Sequence, residues 1–345
     1  EVKDLLLNEI KKLRAGEFDE KMLQANINNF KLYELQSMES NEGRADIFVN
    51  SFINGTNWED EVTAIDRMAK LTKEDIVAFA DKYLKEDNYA VVYKKQGKDP
   101  NEKKMTKPEI TPIVSNRDVA SPFLTSIQEN AVKPIEPVFL DFKKDMSQLT
   151  AKSDIPVLYK QNTTNDLFQL IYVFDMGNNN DKALGTAFDY LEYLGTSDMT
   201  PEELKSEFYR LACTFYVSPG NERTYVVLSG LNENMPAAMQ LFEKLLADAQ
   251  VNKEAYDNLV GDILKARADA KLNQGQNFSR LMNYAMYGPK SPATNLLTEA
   301  ELASMNPQEL VDRIHNQNNY KHRILYYGPS SSKDLLATIE QYHQV

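Results

Sequence analysis

The chain repeats itself, and that constrains its fold more than any other feature, because each copy must bury an equivalent face. Phe18 to Gly97 and Val251 to Gly328 carry the same elements in the same order. Each copy opens with a long helical stretch, Asp19-Glu20-Lys21-Met22-Leu23 against Asn252-Lys253-Glu254-Ala255-Tyr256, and passes a glycine-bearing turn, Ile53-Asn54-Gly55 against Met286-Tyr287-Gly288. Each then presents a capped helix, Leu71-Thr72-Lys73-Glu74-Asp75-Ile76 against Met305-Asn306-Pro307-Gln308-Glu309-Leu310. Both continue through Asn88-Tyr89 or Asn319-Tyr320 into an apolar strand. Identities are few, but the order and spacing agree within about three residues. The first copy lacks a sheet-forming stretch ahead of it, so the chain reads as half of one module followed by one whole module.

Periodicity fills in the elements. Val2, Leu5, Leu6, Ile10 and Leu13 recur at helical spacing, and Gly16 ends that helix. Further helices are expected from Phe18, over 45–53 and 59–68, and after Thr72; Tyr89 to Tyr93 reads as a strand. Six of the 14 prolines (Pro100, Pro108, Pro112, Pro122, Pro134 and Pro137) then fall in a stretch with little periodicity, which predicts an extended connection. Beyond it the pattern is mixed. Strands are expected at 157–159 and 167–174, a hairpin around Pro219-Gly220, and a last strand over 323–327. Helices are expected over 183–194, from Thr200-Pro201 to Leu211, and over 235–249, 252–271, 278–287, 307–315 and 333–342. The fold class is therefore α/β (α+β). The domains are residues 1–97, the helical second part of one module; 98–145, an extended proline-bearing linker; and 146–345, a complete module.

Composition removes several function classes. A net charge of -12 opposes binding to a phosphate backbone, so no nucleic acid partner is expected, and the basic residues of 94–98 and 103–107 read as solvated linker charge. No apolar run approaches the roughly 20 residues of a membrane-spanning helix, so no transmembrane segment is expected. Glu1 stands inside a helical pattern with no preceding Met, which reads as a processing boundary with parts of a parent protein outside it. One cysteine, Cys213, excludes an intramolecular disulfide and sits among Leu211, Ala212 and Phe215 as a core residue would. The three histidines, His315, His322 and His343, are too widely spaced for a helical ligand pair and read as structural. Glu202 and Glu203 read as an acidic helix start, since adjacent helical residues point apart.

Several segments, taken in order, resemble the pitrilysin (insulinase-like, M16) family of zinc metallopeptidases, specifically its non-catalytic C-terminal-half modules. They are Asp154-Ile-Pro-Val157, Phe174-Asp-Met-Gly177, Gly185 opening a helix that reaches Leu194-Gly195-Thr196, and Thr200-Pro-Glu-Glu203. The strands around Pro219-Gly220, then Tyr287-Gly-Pro-Lys-Ser-Pro292 and Leu297-Thr-Glu-Ala-Glu-Leu302, complete the set, which covers nearly the whole chain.

The resemblance implies tandem pitrilysin-like modules, each an antiparallel-rich sheet packed with helices, paired as halves around a chamber. Active modules of the family carry HxxEH before the Gly-Thr and a later Glu ligand; here the motif falls on 186–190. Thr186 and Tyr190 stand where histidines would ligate zinc, Asp189 stands for the catalytic glutamate, and the later position falls near Arg267. No metal or catalytic residue is therefore expected in this chain, which reads as inactive by itself; zinc is expected in the parent's active module. The implied partners are the N-terminal catalytic half of the same protein, or a sister subunit, and peptide substrates. Tyr190, Tyr193, Phe215 and Tyr216 lie in the region that would confine a peptide, though each aromatic is also a core candidate. An extracytoplasmic location (periplasm or envelope) follows from the family's many envelope members. A metal-free scaffold or assembly protein of the same fold, or a self-standing peptide-binding module, are the alternatives.

Overall fold

A computed structural model describes residues 2–94, 96–97, 105–113, 115 and 117–345. Pro100 and several of the basic residues of 94–98 and 103–107 lie outside the described set. The first part is helical: α1 (Val2–Arg14), α2 (Lys21–Ser37), α3 (Asn41–Asn54), α4 (Trp58–Val62), α5 (Ala64–Met68) and α6 (Lys73–Tyr83). The expected 59–68 helix divides at Thr63 into α4 and α5. At the start of α6, Thr72 Oγ1 accepts from the Asp75 amide while Asp75 Oδ2 accepts from the Thr72 amide, the reciprocal cap that the sequence announced.

Tyr89 to Tyr93 does not form a strand. A strand is completed only by hydrogen bonds to a neighbour, and no sheet lies beside this segment among the described residues. Among the described residues of 105–146, only α7 (Pro122–Gln128) is regular, started by Ser121 with Pro122 at its first position. Its apolar side chains are bare: Ile135 is 95% exposed.

The remainder runs β1 (Ser147–Ala151), β2 (Ile155–Gln161), β3 (Leu167–Phe174), α8 (Leu184–Leu191), α9 (Pro201–Arg210), β4 (Cys213–Pro219) and β5 (Thr224–Leu231). It continues with α10 (Met235–Asp248), α11 (Lys253–Ala270), α12 (Gln274–Tyr287), α13 (Glu299–Ser304), α14 (Pro307–His315), β6 (His322–Gly328) and α15 (Ser332–Tyr342). The sequence reading missed β1. It reverses tightly into β2 through Ser153 and Asp154, both with left-handed backbone (φ 63 and 59).

One six-stranded sheet has the order β1-β2-β6-β3-β5-β4. The last strand enters the middle, parallel to β2 (Val157 opposite Ile324) and antiparallel to β3 (Tyr172 opposite Ile324). The other pairs are antiparallel. α8, α10 and α14 close the main core with Phe188, Phe242, Leu310, Val311 and Ile314. Each such side chain stabilises the fold by about 1.5–3 kcal/mol through area removed from water. A second, small cluster joins the two parts of the chain: Leu32, with Leu35 beside it on α2, packs on Leu167, Ala212 and Leu231. Asn29 ties the same contact by donating to the carbonyls of Ala25 (2.8 Å) and Tyr209 (2.7 Å).

Candidate functional site

α8 starts where the chain folds back on itself. The Asn178 amide donates to the Gly220 carbonyl (2.9 Å), and its side chain joins the Pro219 carbonyl (2.9 Å) to the Gly185 amide (3.1 Å). The preceding residue has to be glycine, because a Cβ at Gly177 would lie 2.6 Å from the Asn221 carbonyl oxygen. This knot fixes α8 against the β4–β5 hairpin, and with it the positions that the motif comparison singled out.

Those positions diverge in role. Tyr190 is fully buried; its hydroxyl donates to the Asn252 carbonyl (2.6 Å) and accepts from the Asn252 amide (2.8 Å). Burial raises its pKa, and the bond to Asn252 opposes that shift. The ring meets Tyr256 edge-on at 5.8 Å, and Tyr256 in turn donates to the Leu302 carbonyl (2.7 Å). Thr186 is half-buried, whereas Asp189 is exposed by surface area yet crowded enough that desolvation, ahead of Glu192, raises its pKa.

Arg267 donates to the Leu297 carbonyl (2.8 Å). It lies fifteen residues along α11 from the Asn252 that Tyr190 grips, a separation of about 22 Å at helical rise. The structure therefore does not bring Arg267 to Tyr190, and the α11 side chain that faces Tyr190 is Tyr256. Sequence intervals measure contour length, and only the packing of α8 on α11 decides which turn is opposed.

A zinc ion requires three nitrogen, sulfur or carboxylate donors converging from about 2 Å. Here the Tyr190 hydroxyl already bonds at both its donor and acceptor sides, and the guanidinium of Arg267 is a cation. This residue set does not fit the metal. Among the described residues no group of three His, Cys, Asp or Glu is placed to hold a metal ion.

The second feature is a cleft of about 440 Å³ beside β4, the outermost strand of the sheet. Leu32 and Tyr33 of α2 form one wall; Phe188 and Leu191 of α8, Phe208 of α9 and Phe215 of β4 form the others. Tyr33, Tyr209 and Tyr216 stand exposed at its rim with Lys205 and Glu192. The Tyr209 hydroxyl donates to Asn26 (2.7 Å), which holds α9 to α2 at the mouth. Tyr216 and Phe215 belong to this cleft, whereas Tyr190 is core. Cys213, at its floor, is no nucleophile: burial pushes its thiol up to about 12. An edge strand carries unpaired backbone groups, so the chemistry offered here is strand addition beside an apolar hole. Sequence alternation could flag β4 as a strand but could not say that it lies at the edge.

No family model matches the sequence, and no curated protein matches it. Solved structures do match. The peptidase M16 inactive domain from Pseudomonas fluorescens is similar at 16% identity with a TM-score of 0.50, over 57% of this chain and 50% of that one. The periplasmic protease PqqL from Escherichia coli is similar over 98% of this chain and 40% of that one, at 13% identity and a TM-score of 0.51. The ferredoxin protease FusC, solved in complex with Arabidopsis ferredoxin, is similar over 97% of this chain and 40% of that one, at 10% identity and a TM-score of 0.51. The chain thus spans half or less of each of these proteins, and identities this low speak for fold alone. Among the described residues no helix is long and apolar enough to cross a membrane. A six-stranded sheet backed by helices, similar over 57% of the chain to a peptidase M16 inactive domain and over nearly all of it to parts of two longer proteases, gives this protein the fold of the M16 peptidase inactive domains.

Proposed function

We propose that this chain is a non-catalytic portion of a zinc-dependent metalloendopeptidase of the pitrilysin family, forming part of the wall of a peptide-enclosing chamber. The observation that carries the reading is the match of 97–98% of this chain to only 40% of two longer proteases. The protein similar over nearly the full chain includes one described as periplasmic, and an extracytoplasmic location belongs to the same proposal. Zinc and the catalytic residues reside in a partner module, and the cleft beside β4 faces the enclosed peptide.

The domain division at 1–97, 98–145 and 146–345 is part of this proposal, and the repeat supports it. Leu310 and Val311 of α14 are fully buried, while their counterparts in α6, Ile76 and Val77, are half-exposed. β6 sits in mid-sheet, whereas Val92 in the corresponding segment is 94% exposed. Among the described residues the first copy has the helices of a module and no sheet beneath them.

The test has two arms. The purified chain, given zinc and dialysed, is expected to retain no stoichiometric metal and to cleave no fluorogenic peptide. Tightly held zinc together with hydrolysis by this chain alone would overturn the reading. An extended peptide with large apolar side chains is expected to shift amide resonances of Cys213 to Ser218 first. A scaffold of the same fold predicts no such shift, and that result would favour the alternative.

A further inference from the structure

Beneath α15 lies a buried chain of polar groups that the peptidase reading does not use. The His322 Nδ1 is 2.7 Å from the Tyr320 carbonyl, and its Nε2 is 2.8 Å from the Nε2 of His343. The Nδ1 of His343 is 2.6 Å from Glu243 Oε1, and Glu243 Oε2 accepts from Asn318 at 2.7 Å. The imidazole of His343 is wholly buried and Glu243 nearly so.

Counting protons fixes the state of this chain. A carbonyl only accepts, so His322 Nδ1 carries hydrogen. The contact between His343 and a carboxyl group needs a second hydrogen, and the contact between the two Nε2 atoms needs a third. Two neutral imidazoles supply only two. The cluster must therefore hold one proton beyond Glu243 carboxylate and two neutral histidines, and its net charge is then zero. Without that proton two lone pairs would face each other, either between the Nε2 atoms at 2.8 Å or between His343 Nδ1 and the carboxylate at 2.6 Å; with a further one, two donors would.

We propose that Glu243, His343 and His322 form a one-proton clasp that fastens the end of α15 to the sheet and opens when a second proton enters. The step is a single proton uptake from water at His322 Nε2. It breaks the bond to His343 and leaves one uncompensated positive charge in the core. The surroundings offer nothing to absorb that charge. From β3, the neutral Tyr172 stacks on His343 at 4.7 Å; its hydroxyl has no partner of hydrogen-bond geometry, although Glu243 is near enough to add to the upward pKa shift that burial gives it. From the turn before β6 comes the neutral amide of Asn318, and from α10 only Glu243. Arg323, the next residue in β6, points to the other face and pairs with Asp175 (3.2 Å), and Lys244, next to Glu243, pairs with Asp198. Burial, partly opposed by the bond to Tyr320, holds the His322 imidazole below its ordinary value, which keeps the resting proton on the Glu243 side.

The mechanical consequence falls on α15. Its buried residues Leu335 and Ile339 are followed at once by His343, whose amide also bonds to the Ile339 carbonyl (2.8 Å). Losing the clasp frees the end of that helix first. The sign follows from linkage: a depressed imidazole pKa gives stability that is present above about 6.5 and is lost as pH falls through the folded value. This inference stands whether or not the chain serves a peptidase.

Imidazole nitrogen NMR on the full chain tests it, paired with hydrogen exchange read as protection factors. At pH 7, the His343 Nε2 is expected to carry hydrogen and His322 to carry it only on Nδ1. On acidification His322 titrates below pH 6.5, and protection over Ser332 to His343 falls by up to about tenfold per pH unit relative to α10, the limit for one proton. In His322→Gln, whose amide oxygen accepts without titrating, that acid step disappears. A His322 Nε2 that already carries hydrogen at pH 7, or α15 protection that ignores pH while His322 titrates, would overturn the clasp. Because the wild-type measurement decides alone, failure of the variant to fold leaves the test intact.

Discussion

Replacing Tyr190 by phenylalanine deletes one oxygen and keeps the ring that packs on Tyr256. Two hydrogen bonds to Asn252 are lost, one donated and one accepted. The cost depends on what happens to the backbone groups left behind. Asn252 is exposed, so water reaches its amide and carbonyl once the hydroxyl is gone. The cap of α11 also survives, because the Asn252 side chain accepts from the Ala255 amide (3.0 Å) independently of Tyr190. The loss is therefore about 1 kcal/mol, at the low end of the range for deleted hydrogen-bonding groups. Tyr190→Ala removes the buried ring too and is expected to cost about 3–5 kcal/mol, as for other large aromatic truncations. Urea unfolding followed by circular dichroism separates the two, with an unchanged slope and midpoints displaced in that ratio. Equal losses for both variants would show that the hydroxyl carries the site and the ring does not, which would refute this account of how α8 is held on α11.

Glu301 closes the cap of α13 with Thr298 and pairs with Lys182 (2.6 Å), contacts that hold its carboxyl at about 2. The stability it contributes is complete above about pH 4.5 and is lost as pH falls through about 2, so protection factors of the α13 amides are expected to fall over that interval. Glu301→Gln should flatten the pH dependence. Gly177→Ala pushes a Cβ to 2.6 Å from a backbone oxygen and is expected to destabilise by about 1–3 kcal/mol, read from the urea midpoint. Cys213, buried with its thiol pushed up to about 12, should resist a thiol reagent at pH 8 in the native protein and react only at the rate of unfolding. Native-state labelling at a rate approaching that of the unfolded chain would contradict its placement.

Helix signals were legible because they are local. Thr72 with Asp75, Thr200 with Glu203 and Pro201, and Asn306 with Pro307 mark helix starts through bonds within one turn, and each starts a helix in the structure. The Pro219-Gly220 hairpin was legible for the same reason. Tyr89 to Tyr93 shows the limit: its apolar β-branched pattern states a preference, and without a neighbouring strand the preference has nothing to pair with. β1 was missed because Ser147 to Ala151 is a mostly exposed edge strand with little apolar alternation.

The histidines reveal another limit. His322 and His343, separated by twenty-one residues, carried no local motif and read as structural. They meet, with Glu243, only because β6 enters the middle of the sheet and α15 folds back toward α10. A search of spacings along one helix or turn could not find such a contact.

The sequence by itself determined the repeated order of helices, the class of fold, and the absence of HxxEH from the positions before Gly195-Thr196. Those properties are written in residue types and short intervals, where physics acts within a few bonds. Tertiary structure alone decided that β4 is an open edge beside an apolar cleft, that Tyr190 faces Tyr256 with Arg267 several turns away, and that three separated side chains share a proton. Each of those depends on which surfaces meet when distant segments bury their apolar faces together, and that choice belongs to the whole chain at once.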